Sequence, residues 1–329
     1  MDGDFADKLA RRRLYSHAAE SDAGTALPDY LAAHFSRFDR AGWLEAAEAG
    51  LVSVNGAVAR PDTILKRHDR VEYFPPDSPE PEAELHYRAV YEDADLLVLD
   101  KPGNLCVHPT GPFLRHTLWH LAGQQYGELR FVHRIDRETS GLVVAARTRR
   151  AAAAMDNGAT PVHKEYLALV TGDFRGRVHA EGFLVHDRDS AVAKKKRFVF
   201  AGSPEAAEAA SDPTAETAET ELIEESHVPP DLTLVRAILG TGRQHQVRAT
   251  LHSLGFPLAG DKLYGPDERL FLKIKDGALT ADNMRLLRFP RQALHAAVLE
   301  FRHPFTGEQL RFESPFPADL LTTDPPHNK

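Results

Sequence analysis

The uninterrupted apolar run Leu142-Val143-Val144-Ala145-Ala146 directly follows a dense polar stretch, His133-Arg134-Ile135-Asp136-Arg137-Glu138-Thr139-Ser140-Gly141. A β-branched, apolar run bounded by glycine predicts a buried strand. The polar residues ahead of it therefore stand at the strand's mouth, where a rigid element can hold a reactive side chain. Asp136 is the candidate for that side chain.

The same pattern divides the rest of the chain. Leu27, Tyr30, Leu31, His34 and Phe35 recur at helical spacing, as do Trp43, Leu44, Ala47 and Glu48. Leu51 to Val58 then predicts a strand, an Asn55-Gly56 turn and a second strand, and a short strand follows at Val71 to Phe74. The Pro- and acid-rich segment 76–86 predicts a linker. Beyond it, strands are predicted at Asp95 to Asp100 before a Lys101-Pro102 turn, Glu165 to Val170, Leu232 to Leu239 and Val298 to Phe301. Helices are predicted around Thr117 to Leu121 and Arg248 to Leu254. Residues 1–26, with Arg11-Arg12-Arg13, and 322–329 predict polar tails. Ser203 to Ala218 holds Glu205, Glu208, Asp212 and Glu216 with no Lys or Arg, and predicts a mobile surface insertion.

Composition narrows the chemistry. At 329 residues, 42% hydrophobic and 27% charged, the chain predicts one large globular domain and a small one. A single cysteine, Cys106, excludes an intramolecular disulfide framework and a cysteine-based metal cluster within one chain. The N-terminus has no apolar core of a secretion signal and no run is long enough to span a bilayer, so the cytoplasm is the expected location. A net charge of -8 argues against nucleic acid when taken as a sum, but binding depends on where the basic residues sit. Lys194-Lys195-Lys196-Arg197 is a compact basic cluster with two readings, a phosphate grip or a solvated loop. His116 and His120 have a metal-like spacing with no third ligand nearby, and Gly240 and Gly242 lack the third glycine of a dinucleotide loop.

Two resemblances are carried by quotable residues. Residues 27–75, with Gly50, Val52, Val54-Asn55-Gly56 and Asp69-x-Val71, resemble the small RNA-binding module of a ribosomal protein and of many RNA-modifying enzymes. Its candidate phosphate contacts are Arg37, Arg40, Arg60, Lys66, Arg67 and Arg70, although Glu45 and Glu48 stand on a helix where that module usually has basic residues. Residues 87–321 resemble the RluA family of RNA pseudouridine synthases. The likeness rests on His133-Arg134-Ile135-Asp136-x-x-Thr139-Ser140-Gly141-Leu142, Lys164-Glu165-Tyr166-Leu167-Ala168, Thr241-Gly242-Arg243-x-His245-Gln246-Val247-Arg248, Gly260-Asp261-x-x-Tyr264-Gly265 and Leu294-His295-Ala296, in that order. Gln244 and Thr250 depart from the residues common there.

The resemblance implies an α+β fold. It consists of a mixed, mainly antiparallel sheet with flanking helices and a central cleft, plus the small N-terminal α/β module. It implies isomerisation of uridine within RNA, with no cofactor and no metal, by a monomer acting on structured RNA. Large-subunit ribosomal RNA is favoured, with transfer RNA as the alternative. It implies that Asp136 is nucleophile or base and that Arg248 is its ion-pair partner. Tyr166 would stack on the target uracil, and Arg134 would fill the gap left by the flipped base. It further implies that His133, Thr139, Arg243, His245 and Gln246 contact substrate. A carboxylate can form an adduct with a sugar carbon or abstract the 2′ hydrogen to give a glycal, and both routes remain open. Two other readings stand beside it. One is a non-catalytic RNA-binding or ribosome-assembly protein. The other is a hydrolase of glycosidic bonds that would use Glu138 as a second acid.

Overall fold

The computed structural model describes residues 14–35, 37–76, 79–156, 160–275 and 277–321, and divides the chain into the units Met1–Pro81 and Glu82–Lys329. In the first unit, strand β1 (Leu14–His17) is followed by helices α1 (Leu27–His34) and α2 (Arg40–Glu48) and strands β2 (Val52–Val54), β3 (Ala57–Val58) and β4 (Arg70–Tyr73). Asp39 caps α2 by accepting the Gly42 N–H at 2.9 Å. Leu27, Tyr30, Leu31, Trp43 and Ala47 from the helices close over Val52, Val71 and Tyr73 of the sheet with Phe35 packed against them, whereas His34 and Glu48 of the same spacing are exposed.

The expectation of a tail across 1–26 is corrected for its second half. β1 pairs antiparallel with β4, and the four-stranded sheet runs β1-β4-β2-β3. Leu-Tyr-Ser-His has no apolar period of its own, and its order comes from backbone hydrogen bonds to a strand far along the chain. Arg11-Arg12-Arg13 and the C-terminal tail 322–329 lie outside the described residues.

The second unit carries β5 (Arg88–Glu92), β6 (Leu96–Lys101), α3 (Leu118–Tyr126), β7 (Arg130–Phe131), β8 (Ser140–Ala146), α4 (Arg149–Asp156), β9 (His163–Thr171), β10 (Arg177–His186), β11 (Lys196–Phe200), α5 (Ala206–Ser211), β12 (Glu216–Val228), β13 (Leu232–Leu239), α6 (Gln246–Ser253), α7 (Arg269–Lys275), α8 (Ala281–Leu287), β14 (Leu294–Arg302) and β15 (Gln309–Glu313). The strands form an eleven-stranded sheet in the order β11-β10-β12-β13-β9-β14-β8-β6-β5, with β15 on β14 and β7 on β8. Neighbours are antiparallel apart from β14 and β8, which run parallel. The sheet is therefore mixed and mainly antiparallel, as expected.

The parallel contact explains Gly141. It pairs with Ala296, and its φ is +108°. A Cβ there would lie 2.2 Å from the Ala296 carbonyl oxygen, so no other residue fits. Behind it, Leu142 to Ala146 are all fully buried. The supposed mobile insertion is a second correction. It contains α5, whose Ala209 is buried, and it ends in β12, where Glu216, Thr217 and Ala218 pair with Leu184, Phe183 and Gly182. The acidic composition marks the solvent side of a short helix and an ordered strand edge.

Candidate active site

Asp136 sits in the loop between β7 and β8, at the mouth of the fully buried strand. Arg248, in the first turn of α6, donates from Nη1 to Asp136 Oδ2 at 2.6 Å. The remaining edge of its guanidinium forks onto Asp261, with Nε to Oδ2 at 2.7 Å and Nη2 to Oδ1 at 2.9 Å. Asp261 is anchored in turn, its Oδ1 accepting the N–H groups of Leu263 and Tyr264 at 2.9 Å each. The Tyr264 ring lies 5.0 Å from the guanidinium carbon. Side-chain exposure falls along this chain from 29% at Asp136 to 9% at Arg248 and zero at Asp261. The reactive candidate is thus the end that reaches solvent.

The electrostatics keep it charged. Burial pushes the Asp136 carboxyl up, but the Arg248 charge, the His245 ring and hydrogen bonds from Arg248 and Gln292 more than offset this and hold it below the ordinary carboxylate value. Burial likewise opposes ionisation of Asp261, yet the Arg248 charge and its hydrogen bonds bring it down to about 2. Burial works against the Arg248 charge, and the two carboxylates raise its pKa above the usual value nonetheless.

Tyr166 reaches the site through strand order. β14 lies between β8 and β9, and its Ala296 faces Gly141 on one side and Tyr166 on the other. Two strand spacings put Tyr166 about 10 Å from the mouth of β8. Its ring packs in one core with Ile135, Val143 and Val247. Burial, and then the Asp136 charge, raise its phenol pKa, so it is a neutral hydroxyl at physiological pH.

Side chains that sequence reasoning missed hold the loop from behind. Lys101 Nζ donates to the carbonyls of Pro102 (2.7 Å), Leu105 (2.8 Å) and Arg137 (3.1 Å). Lys262 Nζ donates to both oxygens of Glu138 at 2.9 Å. Arg291 Nη1 donates to the Glu138 carbonyl (3.2 Å) and Ser140 Oγ (3.3 Å). Gln292 Nε2 donates to Thr139 Oγ1 at 2.7 Å. The one legible signal was Lys101, a lysine ending an otherwise apolar strand. The others act across long sequence separations that leave no periodic trace.

The expected substrate contacts separate into exposed and buried groups. Arg134 and Arg243 are exposed. Thr139 and Gln246 are 1% and 2% exposed, and their polar atoms hydrogen-bond within the protein. Gln246 accepts from Thr241 Oγ1 and the Arg243 N–H and donates to the Glu219 carbonyl and Thr220 Oγ1. It shapes the loop ahead of α6. His245 is buried and meets the Tyr264 hydroxyl at 3.1 Å, while His133 Nε2 faces the Val144 N–H at 3.4 Å. Burial lowers the pKa of both imidazoles, to about 4 for His245 and about 3 for His133, so both are neutral rings. Glu138, the second acid that a hydrolase would need, is tied to Lys262. The basic cluster is also largely committed. Lys195 pairs with Glu268 at 2.8 Å, Lys196 with Glu216 and Arg197 with Glu205. Lys194 lies 4.1 Å from the Phe271 ring. Among the described residues, no group of three or more His, Cys, Asp and Glu side chains could hold a metal ion, and no helix is long and apolar enough to cross a membrane.

A family profile described as RNA pseudouridylate synthase matches residues 95–253, the span that holds Asp136, Tyr166 and Arg248. A Pseudomonas aeruginosa protein named ribosomal large subunit pseudouridine synthase D is 32% identical over 299 residues, covering 87% of this chain and 86% of that protein. The chain belongs to the RluA family of RNA pseudouridine synthases. A Bacillus subtilis member named as the uncharacterized RNA pseudouridine synthase YlyB is 30% identical over 321 residues, covering 92% of this chain and 94% of that protein. The solved structure of human RNA pseudouridylate synthase domain containing 1 shares the synthase fold, with a TM-score of 0.53 and 24% identity over 72% of this chain and 86% of the other. Membership makes the protein an isomerase acting on RNA.

Proposed function

We propose that this synthase converts uridine to pseudouridine in large-subunit ribosomal RNA, with Asp136 as the reacting carboxylate. The observation that carries the reading is the graded chain of Asp136, Arg248 and Asp261. An ionised carboxylate is presented at the end of a sheet by a buried arginine that a second carboxylate holds in place. The choice of RNA is supported by relatives in Pseudomonas aeruginosa and Xanthomonas campestris, both named ribosomal large subunit pseudouridine synthase D and each 32% identical to this chain.

The reaction breaks the N1–C1′ bond, turns the base and forms a C5–C1′ bond. The proton on C5 leaves to water and N1 takes one up. Asp136 would act either by adding to the sugar carbon, as a retaining glycosidase carboxylate does, or by removing the 2′ hydrogen. The target must leave its stack to arrive there, at a cost of a few kcal/mol. Tyr166 would receive the uracil face, and its protonated phenol could donate but not abstract a proton. Arg134, exposed and two residues from Asp136, would occupy the vacated space with a planar guanidinium. Arg243, exposed at the loop before α6, would meet a phosphate. In the N-terminal module Arg40, Arg60, Arg67 and Arg70 pair with Asp29, Asp62, Glu20 and Glu72. The exposed pairs at Arg40, Arg60 and Arg67 are weak, so RNA phosphates could displace their carboxylates, whereas Glu72 is buried and keeps Arg70. The reading places the enzyme in the cytoplasm as a monomer.

The test uses large-subunit ribosomal and transfer RNA transcripts tritiated at uridine C5. Release from the ribosomal transcript that vanishes in Asp136→Asn is expected. Release from transfer RNA alone would move the substrate. No release from either, with binding intact, would favour a non-catalytic RNA-binding protein, and free uracil would point to a hydrolase.

A further inference from the structure

Both hydrogen bonds that reach the Asp136 carboxylate end on one oxygen. Arg248 Nη1 lies 2.6 Å from Oδ2 and Gln292 Nε2 lies 3.4 Å from the same atom. Among the described residues no hydrogen bond ends on Oδ1. Gln292 is 2% exposed and stands just before β14, where its own N–H donates to Glu138 Oε2 at 3.1 Å. Its Nε2 has two hydrogens and two acceptors, Thr139 Oγ1 at 2.7 Å and Asp136 Oδ2. A carboxylate only accepts, so the amide nitrogen, not the oxygen, faces Asp136.

We infer that Gln292 is a positioning residue that works with Arg248 to lock the Asp136 carboxylate through Oδ2, so that Oδ1 is the oxygen that meets the ribose. The inference rests on Asp136 being the reacting carboxylate. It assigns to Gln292 a role through Asp136 and no contact with RNA. A carboxylate gripped by the arginine alone can still swing about that single contact. The second donor, itself fixed by the Thr139 hydroxyl and, through its own backbone N–H, by the Glu138 carboxylate, removes that freedom. A carboxylate with one oxygen doubly bonded to donors and the other bare is suited to attack or proton removal in one direction. Both proposed routes use that same bare oxygen, so the inference holds for either.

Gln292→Met keeps the side chain's length and apolar stem and removes the donor. Its kcat should fall about tenfold, the size of one lost hydrogen bond to a charged group, with KM within about twofold because no RNA contact is lost. Loss of a donor raises the Asp136 pKa. The acid limb of the kcat profile should therefore move to higher pH, because the ionised form is then lost earlier as pH falls. Thr139→Val, which leaves the amide in place but frees it, should move the limb the same way by less. A direct reading that needs no turnover is the carbon-13 titration of the Asp136 carboxyl, assigned with Asp136→Asn. It should shift upward in Gln292→Met. A melting temperature near that of the parent shows that the variant is folded. An unmoved titration in a folded Gln292→Met protein overturns the inference, as does a loss confined to KM. If the parent releases no tritium from any RNA, the proposed function fails and the carboxyl titration still judges Gln292.

Discussion

Arg248 divides its guanidinium between two carboxylates, giving Nη1 to the partly exposed Asp136 and both Nε and Nη2 to the fully buried Asp261. The fork therefore does two jobs. Its bidentate half anchors the guanidinium on Asp261 and its single-toothed half holds Asp136. Changes at Arg248 should show both.

Arg248→Ala leaves Asp261 as an uncompensated buried charge, and removing one partner of such a pair costs about 3–5 kcal/mol. A urea unfolding midpoint well below that of the parent is expected. Arg248→Lys keeps a charge but cannot fork. It should unfold closer to the parent yet lose about 10–150-fold in tritium release, the equivalent of one charged hydrogen bond. Parent-like release from a folded Arg248→Lys enzyme would show that charge alone suffices.

Asp261 predicts how stability responds to acid. Its folded pKa is about 2, against about 3.9 for an unfolded aspartate. A depressed carboxylate pKa contributes stability that is present above the unfolded value and lost as pH falls through the folded one. Asp136, also depressed, adds in the same direction. The denaturation free energy should drop between about pH 4 and pH 2, with about 2–3 kcal/mol of the drop belonging to Asp261. Asp261→Asn should start lower at neutral pH and lack that component. An identical slope in both proteins would remove Asp261 from the account.

Tyr166 is expected to act first through its ring. Tyr166→Phe should keep the KM for RNA, whereas Tyr166→Ala should weaken it by the roughly 1–3 kcal/mol that stacking of one base on an aromatic provides. Comparing kcat for parent and Tyr166→Phe then isolates the hydroxyl. A kcat unchanged by Phe would exclude a proton-donating role for the phenol.

Arg134 is exposed beside Asp136. If its guanidinium fills the space of a flipped base, Arg134→Ala should slow turnover on a folded hairpin by at least about tenfold and change a short single strand much less. Equal losses on the two substrates would reduce Arg134 to a phosphate contact.

The chain by itself determined the elements that have a local period and singled out the candidate stretch around Asp136. The run Leu142 to Ala146 is a buried strand because every position in it is apolar. The helices of the N-terminal module start and end close to their apolar spacing because each buries one face over a small sheet. The order of the motifs also identified the family. What the chain could not show is which polar groups meet. Sheet order and loops bring Arg248 and Gln292 to Asp136 from more than a hundred residues away, and Asp261 joins Arg248 from the loop after its helix; hydrogen bonding of this kind has no periodicity. For the same reason the sequence could not show that Thr139 and Gln246 hydrogen-bond inside the protein, and Leu14–His17 resembled a tail until β4 supplied its hydrogen bonds. Polarity in a sequence says that a group needs a partner. Only the packed sheet decides whether that partner is the protein itself or the RNA.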